Sequence, residues 1–217
     1  MAIYDTEEEQ LEQLKKWWET NNTSLIAGVV TAIVLVSGWN LWQSHQQEQR
    51  KQASQLYQQL LASGEKNDWG QSEKLADQLS AGYGSLIYAD FAGLAKAKVK
   101  VLQGDLDAAK AILQQEIQQS DSPEVRHVAR LRLIQLMLAT ARYEEGLKLI
   151  ALVDPAKSEG FSAAYSELEG DLYVALDRLD EARTAYQEAI RTGKTTALTQ
   201  FKLDDIAAPS FTPPTGN

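Results

Sequence analysis

Residues Leu25–Trp42 read LIAGVVTAIVLVSGWNLW, and no Asp, Glu, Lys or Arg occurs from Thr20 to Gln47. At about 1.5 Å rise per residue, a helix of Leu25–Trp42 is about 27 Å long. That is close to the roughly 30 Å hydrocarbon core of a bilayer, and Thr20–Ser24 can complete the crossing. Leu25, Ile26, Val29, Val30, Ile33, Val34, Leu35, Val36 and Leu41 together favour insertion by roughly 3 to 5 kcal/mol, partly offset by Ser37, Asn40 and the glycines. Trp17 and Trp18 precede the stretch and Trp39 and Trp42 close it, at the level where amphipathic indoles prefer the headgroups. The reading is one transmembrane helix over residues 20–47. A buried core helix would need a much larger soluble protein around it. A cleaved signal peptide would need a basic start, whereas Asp5, Glu7, Glu8, Glu9, Glu12 and Glu19 outnumber Lys15 and Lys16.

Outward from the anchor, residues 1–19 form a short acidic tail. Lys15 and Lys16 on one side balance Arg50 and Lys51 on the other, so the positive-inside count is tied. With a short segment before the anchor and a long one after it, the expected topology has a cytoplasmic N-terminus and a translocated C-terminal part. Membrane lipid is one partner of such a span. Ser24, Gly28 and Ala32 lie four apart on one helical face, a spacing that permits close approach of a second membrane helix.

The whole chain of 217 residues carries 21 Lys+Arg against 30 Asp+Glu, a net charge of −9, and a sequence pI of about 4.8. An acidic surface repels phosphates, so nucleic acid is not an expected partner. Thirteen Gly and five Pro are few, which favours long helices. With no Cys, disulfides, thiol nucleophiles and thiolate metal sites are excluded. Beyond Trp42 the anchor helix continues, with an apolar stripe at Ala53, Leu56, Tyr57 and Leu60, and ends at Ser63-Gly64. Helix pairs follow at 83–102 with 106–118, 123–139 with 143–152, and 161–176 with 179–191. Their turns are too short for anything but antiparallel neighbours. Ser122-Pro123-Glu124 reads as an N-cap with Pro at the first helical position.

The third pair resembles the tetratricopeptide pattern in Gly170, Tyr173, Ala182, Tyr186 and Ala189, expected to be packing residues. Small residues recur at Ala109, Gly146 and Ala182, spaced 37 and 36 residues apart against the usual period of about 34. Ser166, Glu169 and Lys194 replace the consensus Trp, Leu and Pro. The expected fold is therefore all-α: a single N-terminal transmembrane helix followed by a degenerate tetratricopeptide-like helical-hairpin array over 48–206, with a Pro-rich flexible tail at 207–217. First helices line the inner surface of such arrays. There Tyr88, Arg126 and Arg130 break the apolar stripes and are candidates for a protein-binding surface.

The chain as a whole resembles the YfgM-type ancillary subunits of the bacterial SecYEG translocon. The resemblance rests on the acidic start Met1–Asp5, Lys15–Trp18, Gly38-Trp39, Ser44-His45-Gln46, Tyr83–Leu86, Glu159-Gly160-Phe161 and Gly170-Asp171, taken in order. The ending Ala208-Pro209 to Pro213-Pro214 departs from the family's shorter one. The resemblance implies a bacterial inner-membrane protein with its C-terminal domain in the periplasm. It also implies association with SecYEG, the periplasmic chaperone PpiD as partner, and exported proteins as clients.

No chemistry competes with that reading. His45 and His127 lack the spacing of a zinc motif, so no metal or cofactor is expected. Gly193–Thr196 imitates the end of a phosphate loop but follows a helix and lacks the first glycine, so it reads as a helix cap. Asp105/Asp107 and Asp204/Asp205 read as capping or solvated acids. The expectation is a non-enzymatic scaffold. The alternatives are a repeat adaptor of another cell-envelope or secretion complex, and an anchored hydrolase.

Overall fold

The computed structural model describes residues 7–158, 160–193 and 197–206. The acidic start at 1–6, Glu159, the Lys194 substitution with its phosphate-loop look-alike, and the Pro-rich 207–217 lie outside the described residues. Among those described there are nine α-helices, one 3-10 turn and no strand. The helices are α1 (Glu7–Glu65), α2 (Trp69–Gly82), α3 (Ile87–Leu102), α4 (Leu106–Gln119), α5 (Pro123–Ala139), α6 (Tyr143–Ala151), α7 (Ser162–Ala175), α8 (Leu179–Thr192) and α9 (Ala197–Asp205). The chain divides into two units, 1–52 and 53–217. The first is the charge-free span with its flanks; the second is the hairpin array.

A repeat longer by one hairpin than the sequence pattern indicates organises the second unit. Asn67, Gly104, Ala141 and Asp177 hold left-handed φ values of 57°, 81°, 56° and 58°, spaced 37, 37 and 36 residues apart. After each of them the next residue's N–H reaches back to a carbonyl five residues earlier: Asp68 to Ser63, Asp105 to Lys100, Arg142 to Met137 and Arg178 to Tyr173, at 2.8–3.0 Å. This closes one helix and opens the next within three residues. Asp68 and Asp105 then cap the following helices by accepting from the N–H of Gln71 and Ala108. Arg142 and Arg178 occupy the same place but reach forward to Glu145 and Glu181.

The hairpin missing from the sequence reading is the end of α1 with α2. Its small buried position is Ser72, whose hydroxyl pairs with that of Ser63 at 2.8 Å, 37 residues before Ala109. Ala53 and Leu60 of the expected stripe are buried against Leu75, Ala76 and Leu79 of α2, with Leu56 and Tyr57 at its margin. Helix α3 begins four residues later than the pattern indicates, because Tyr83 closes α2 on Leu79 and bends the chain through Leu86. Helix α9 is also absent from the sequence reading.

Large residues seat on small ones both between hairpins and within them. The side chain of Leu172 lies over Gly146, and the Tyr186 ring covers Gly170 so closely that no Cβ fits there. Ala109, Ala182, Leu172 and Ile134 are fully buried, and Ala189 nearly so. Burial of each Leu or Ile contributes about 1.5–3 kcal/mol. Helix α9 closes the array through Ile206 beside Ala182 and Tyr186. Lys202 adds contacts to both Glu167 and Asp171 at 2.8 Å, and the Tyr186 hydroxyl donates to Asp171 at 2.7 Å.

Candidate interaction surfaces

In the first unit, the large side chains of the span stand exposed among the described residues: Leu25 is 39%, Val34 64% and Leu41 72% exposed. Among the described residues one helix is long and apolar enough to cross a bilayer. Trp17, Trp18, Trp39 and Trp42 are all exposed, and Trp18 and Trp39 stand about 32 Å apart along a helix of standard rise. Thr31 turns its hydroxyl back onto the Ala27 carbonyl at 2.8 Å, so its polar group is satisfied within the helix as a hydrocarbon setting demands. Ser24, Gly28 and Ala32 share an open face, where a Cβ built on Gly28 meets nothing within 4 Å.

In the second unit, α3 and α5 form a groove with the end of α1. Tyr57, Leu61, Phe91, Ala95 and Val128 make its apolar wall, with Lys98 and Arg132 on it, around a volume of ≈390 Å³. Those two cations also border the adjoining ≈430 Å³ hollow walled by Val101, Gln135 and Ala139. Both cations are exposed. Arg132 gives one N–H to the Leu94 carbonyl at 3.2 Å, tying α5 to α3. Tyr88 belongs to this side of the array: its ring lies 5.9 Å from Tyr57, which in turn lies 5.8 Å from Phe91.

Arg126 and Arg130 do not join it. Two residues from Val128 is about 200° around a helix, and both arginines border a different cleft of ≈460 Å³ with Pro123, His127, Leu152, Val153, Asp154 and Lys157. The sequence reading places all three candidates on one inner surface; the structure separates Tyr88 from the arginines. Ser122 caps α5 at Val125 N–H, and Arg126 donates to the Ser120 carbonyl at 3.0 Å.

His127 forms the floor of this cleft, a place that its lack of zinc-motif spacing does not indicate. Its Nε2 lies 3.1 Å from the Lys157 carbonyl, which can only accept, so Nε2 carries the proton and Nδ1 accepts from the Tyr165 hydroxyl at 2.8 Å. Burial pushes the imidazole below its ordinary pKa, which keeps it neutral at pH 7. Phe161 stacks on it at 4.9 Å. The partners lie 38 and 30 residues away, and no local sequence signal announces them.

The third hairpin places its pattern residues in packing contacts. Gly170 lies under Tyr186, Ala182 and Ala189 are buried, and Tyr173 is half-buried with the Arg178 guanidinium 4.6 Å over its ring. Glu169, beside Tyr173, is raised above its ordinary pKa by burial. Among the described residues no group of three or more His, Cys, Asp or Glu is placed to hold a metal ion.

Residues 15–208 match the family model of the tetratricopeptide repeat-like domain. The chain is 32% identical over 189 residues to a protein of Aggregatibacter actinomycetemcomitans, covering 87% of this chain and 91% of that one. It is 30% identical over 193 residues to one of Haemophilus influenzae, covering 89% and 93%. The protein of Escherichia coli is 28% identical over 213 residues, covering 95% and 100%. Each of these relatives is named an ancillary SecYEG translocon subunit.

Proposed function

We propose a function from one premise: the chain belongs to the family of ancillary SecYEG translocon subunits, with a tetratricopeptide repeat-like domain. It is a non-enzymatic inner-membrane scaffold. Residues 20–47 cross the membrane once, 1–19 lie in the cytoplasm and 48–206 in the periplasm. The span lodges beside SecYEG through the Ser24, Gly28 and Ala32 face, while the hairpin array receives the chaperone PpiD and emerging clients. The groove between α3 and α5 supplies apolar wall for a partner's side chains, and Lys98 and Arg132 orient a partner of opposite charge.

The observation that carries this reading is the extent of the family match, which runs through the apolar span as well as the hairpins. A membrane helix and a binding array in one chain place whatever the array binds at the membrane, raising its effective concentration there. The test is affinity purification of the tagged chain in a mild detergent. SecYEG is expected in the eluate, and its absence, with another envelope complex in its place, would make the chain an adaptor of that complex. Protease added to spheroplasts should digest the array, and full protection would reverse the topology.

A further inference from the structure

From residue 53 onward the chain contains seven arginines, at 126, 130, 132, 142, 178, 183 and 191. Arg142, Arg178, Arg183 and Arg191 each hold a carboxylate at 3.0 Å or less. The three without such a partner among the described residues are the three on α5. Glu124, the acid of the same turn, accepts from the Ser122 hydroxyl instead. Arg126 and Arg130 sit one turn apart on one face, an arrangement in which like charges oppose each other. Arg130 Nε is buried with no hydrogen-bond partner, the one such side-chain atom among the described residues. Lys157 brings a third cation to the same cleft and meets Asp154 only at 3.5 Å, with its own side chain 82% exposed. On a chain of net charge −9, the cleft gathers three cations against one acid.

We propose that this cleft is a binding site for an acidic peptide segment in which a carboxylate stands next to a large apolar side chain. Guanidinium groups receive carboxylates in a two-pronged geometry, and Arg126 and Arg130 offer two of them on adjacent turns. Pro123, Val153 and Leu152, which is 78% exposed, form the apolar wall beside them. A free inorganic anion has nothing to set against that wall. An anionic bilayer meets a chain of net charge −9, whereas a single flexible segment can enter a cleft of ≈460 Å³. The floor is preorganised, because His127 is held by Tyr165 and by the Lys157 carbonyl, so binding need not order it. The proposal shares with the preceding section only the premise that the array binds proteins, and it uses a different face of α5.

The full chain in an uncharged detergent is titrated into a fluorescein-labelled peptide of alternating Leu and Asp, and into its twin of Leu and Asn. The acidic peptide is expected to bind at least about tenfold more tightly, and Arg126→Gln with Arg130→Gln to remove that advantage. The pair Lys66→Gln and Lys74→Gln, exposed cations outside both the cleft and the groove, should leave it unchanged. Equal binding of the twins, or full affinity in the Arg126/Arg130 variant, would overturn the proposal. So would displacement of the peptide by phosphatidylglycerol vesicles that bind through the same arginines, which would make this a lipid site. If that double variant loses helicity by circular dichroism, Lys157→Gln decides alone: about threefold weaker binding supports the cleft and unchanged binding overturns it. Co-purification with SecYEG is a separate readout, so either proposal can fail without the other.

Discussion

Residues 25–42 and helix α5 are both rich in Leu, Ile, Val and Ala, and they end in opposite surroundings. Along α5, Glu124, Arg126, Arg130, Arg132 and Gln135 interrupt the apolar residues, and Ala129, Leu133, Ile134, Leu136 and Met137 are buried by neighbouring helices. Along 25–42 no charge marks a polar side, and every large apolar side chain is exposed. The difference shows that hydrophobic content does not set where a helix resides. Its distribution around the circumference does, because a helix apolar on all sides has no face to give to water. Stability in α5 therefore comes from side chains within the chain, and in the span from a solvent outside it.

The sharpest way to break this contrast is to remove the same kind of atoms from each region. Leu172→Ala, opposite Gly146, should destabilise the array by about 2–5 kcal/mol, while Leu35→Ala should leave the array unaffected. Hydrogen exchange of the α6–α8 amides in the detergent-solubilised chain reads both, and equal losses would dissolve the distinction. Ile33→Arg reverses the test: it costs roughly 3 kcal/mol of insertion and should move the chain out of the membrane fraction with array protection intact.

Two smaller effects belong to the array alone. Ala141 holds φ 56°, a conformation that costs a residue with a Cβ about 1–2 kcal/mol. Ala141→Gly should raise array stability by about 1 kcal/mol, measured by denaturant midpoint, whereas glycine within the span has no such strain to relieve. Glu116 packs over Gly93, and burial, with the nearby Asp90 charge, pushes its pKa up to about 7. The fold prefers the protonated acid. The stabilising contribution is thus complete below about pH 4.5, falls as the unfolded chain ionises, and is gone above pH 7. Allowing for relaxation of the side chain into water, the change is on the order of 1 kcal/mol. Glu116→Gln should flatten that slope in melting temperature, and an unchanged slope would place its origin elsewhere. Smallest of all, Gly28→Leu with Ala32→Leu should weaken SecYEG co-purification without touching the array, and undiminished recovery would exclude that face.

The span and the α4–α8 helices were legible because each has a dense local signal: absence of charge in one, caps and stripes in the others. Pro123–Ala139 matches its expected bounds because Ser122, Pro123 and Thr140 punctuate it. Helix α2 escaped because its buried apolar residues reduce to Leu75, Ala76 and Leu79 and its small packing residue is a serine. Asp68 and the Asn67 turn, one period before Gly104, are the signals that would have found it. Helix α9 carries apolar residues on both sides, with Leu198 and Phe201 exposed and Leu203 packed beside Tyr186, so no stripe emerges. The arginines of the cleft could be singled out on α5. Their partners Leu152, Asp154 and Lys157 come from a connection 22 to 31 residues further on, and only packing brings them together.

The bridge from Lys202 to Glu167 and Asp171 also governs events in time. Burial opposes the charge on Lys202, but its bonds to the two acids outweigh that and hold its pKa above the ordinary value, so the clasp stays charged through the physiological range. It fastens a nine-residue helix, too short to persist unaided, to the outermost hairpin of a stack whose members touch mainly their neighbours. Opening thus has a first step: α9 leaves before α8 can fray, and salt that screens the clasp shortens the wait. A protease meeting this chain reads that order as a sequence of cuts, beginning at its C-terminal side and advancing one hairpin at a time.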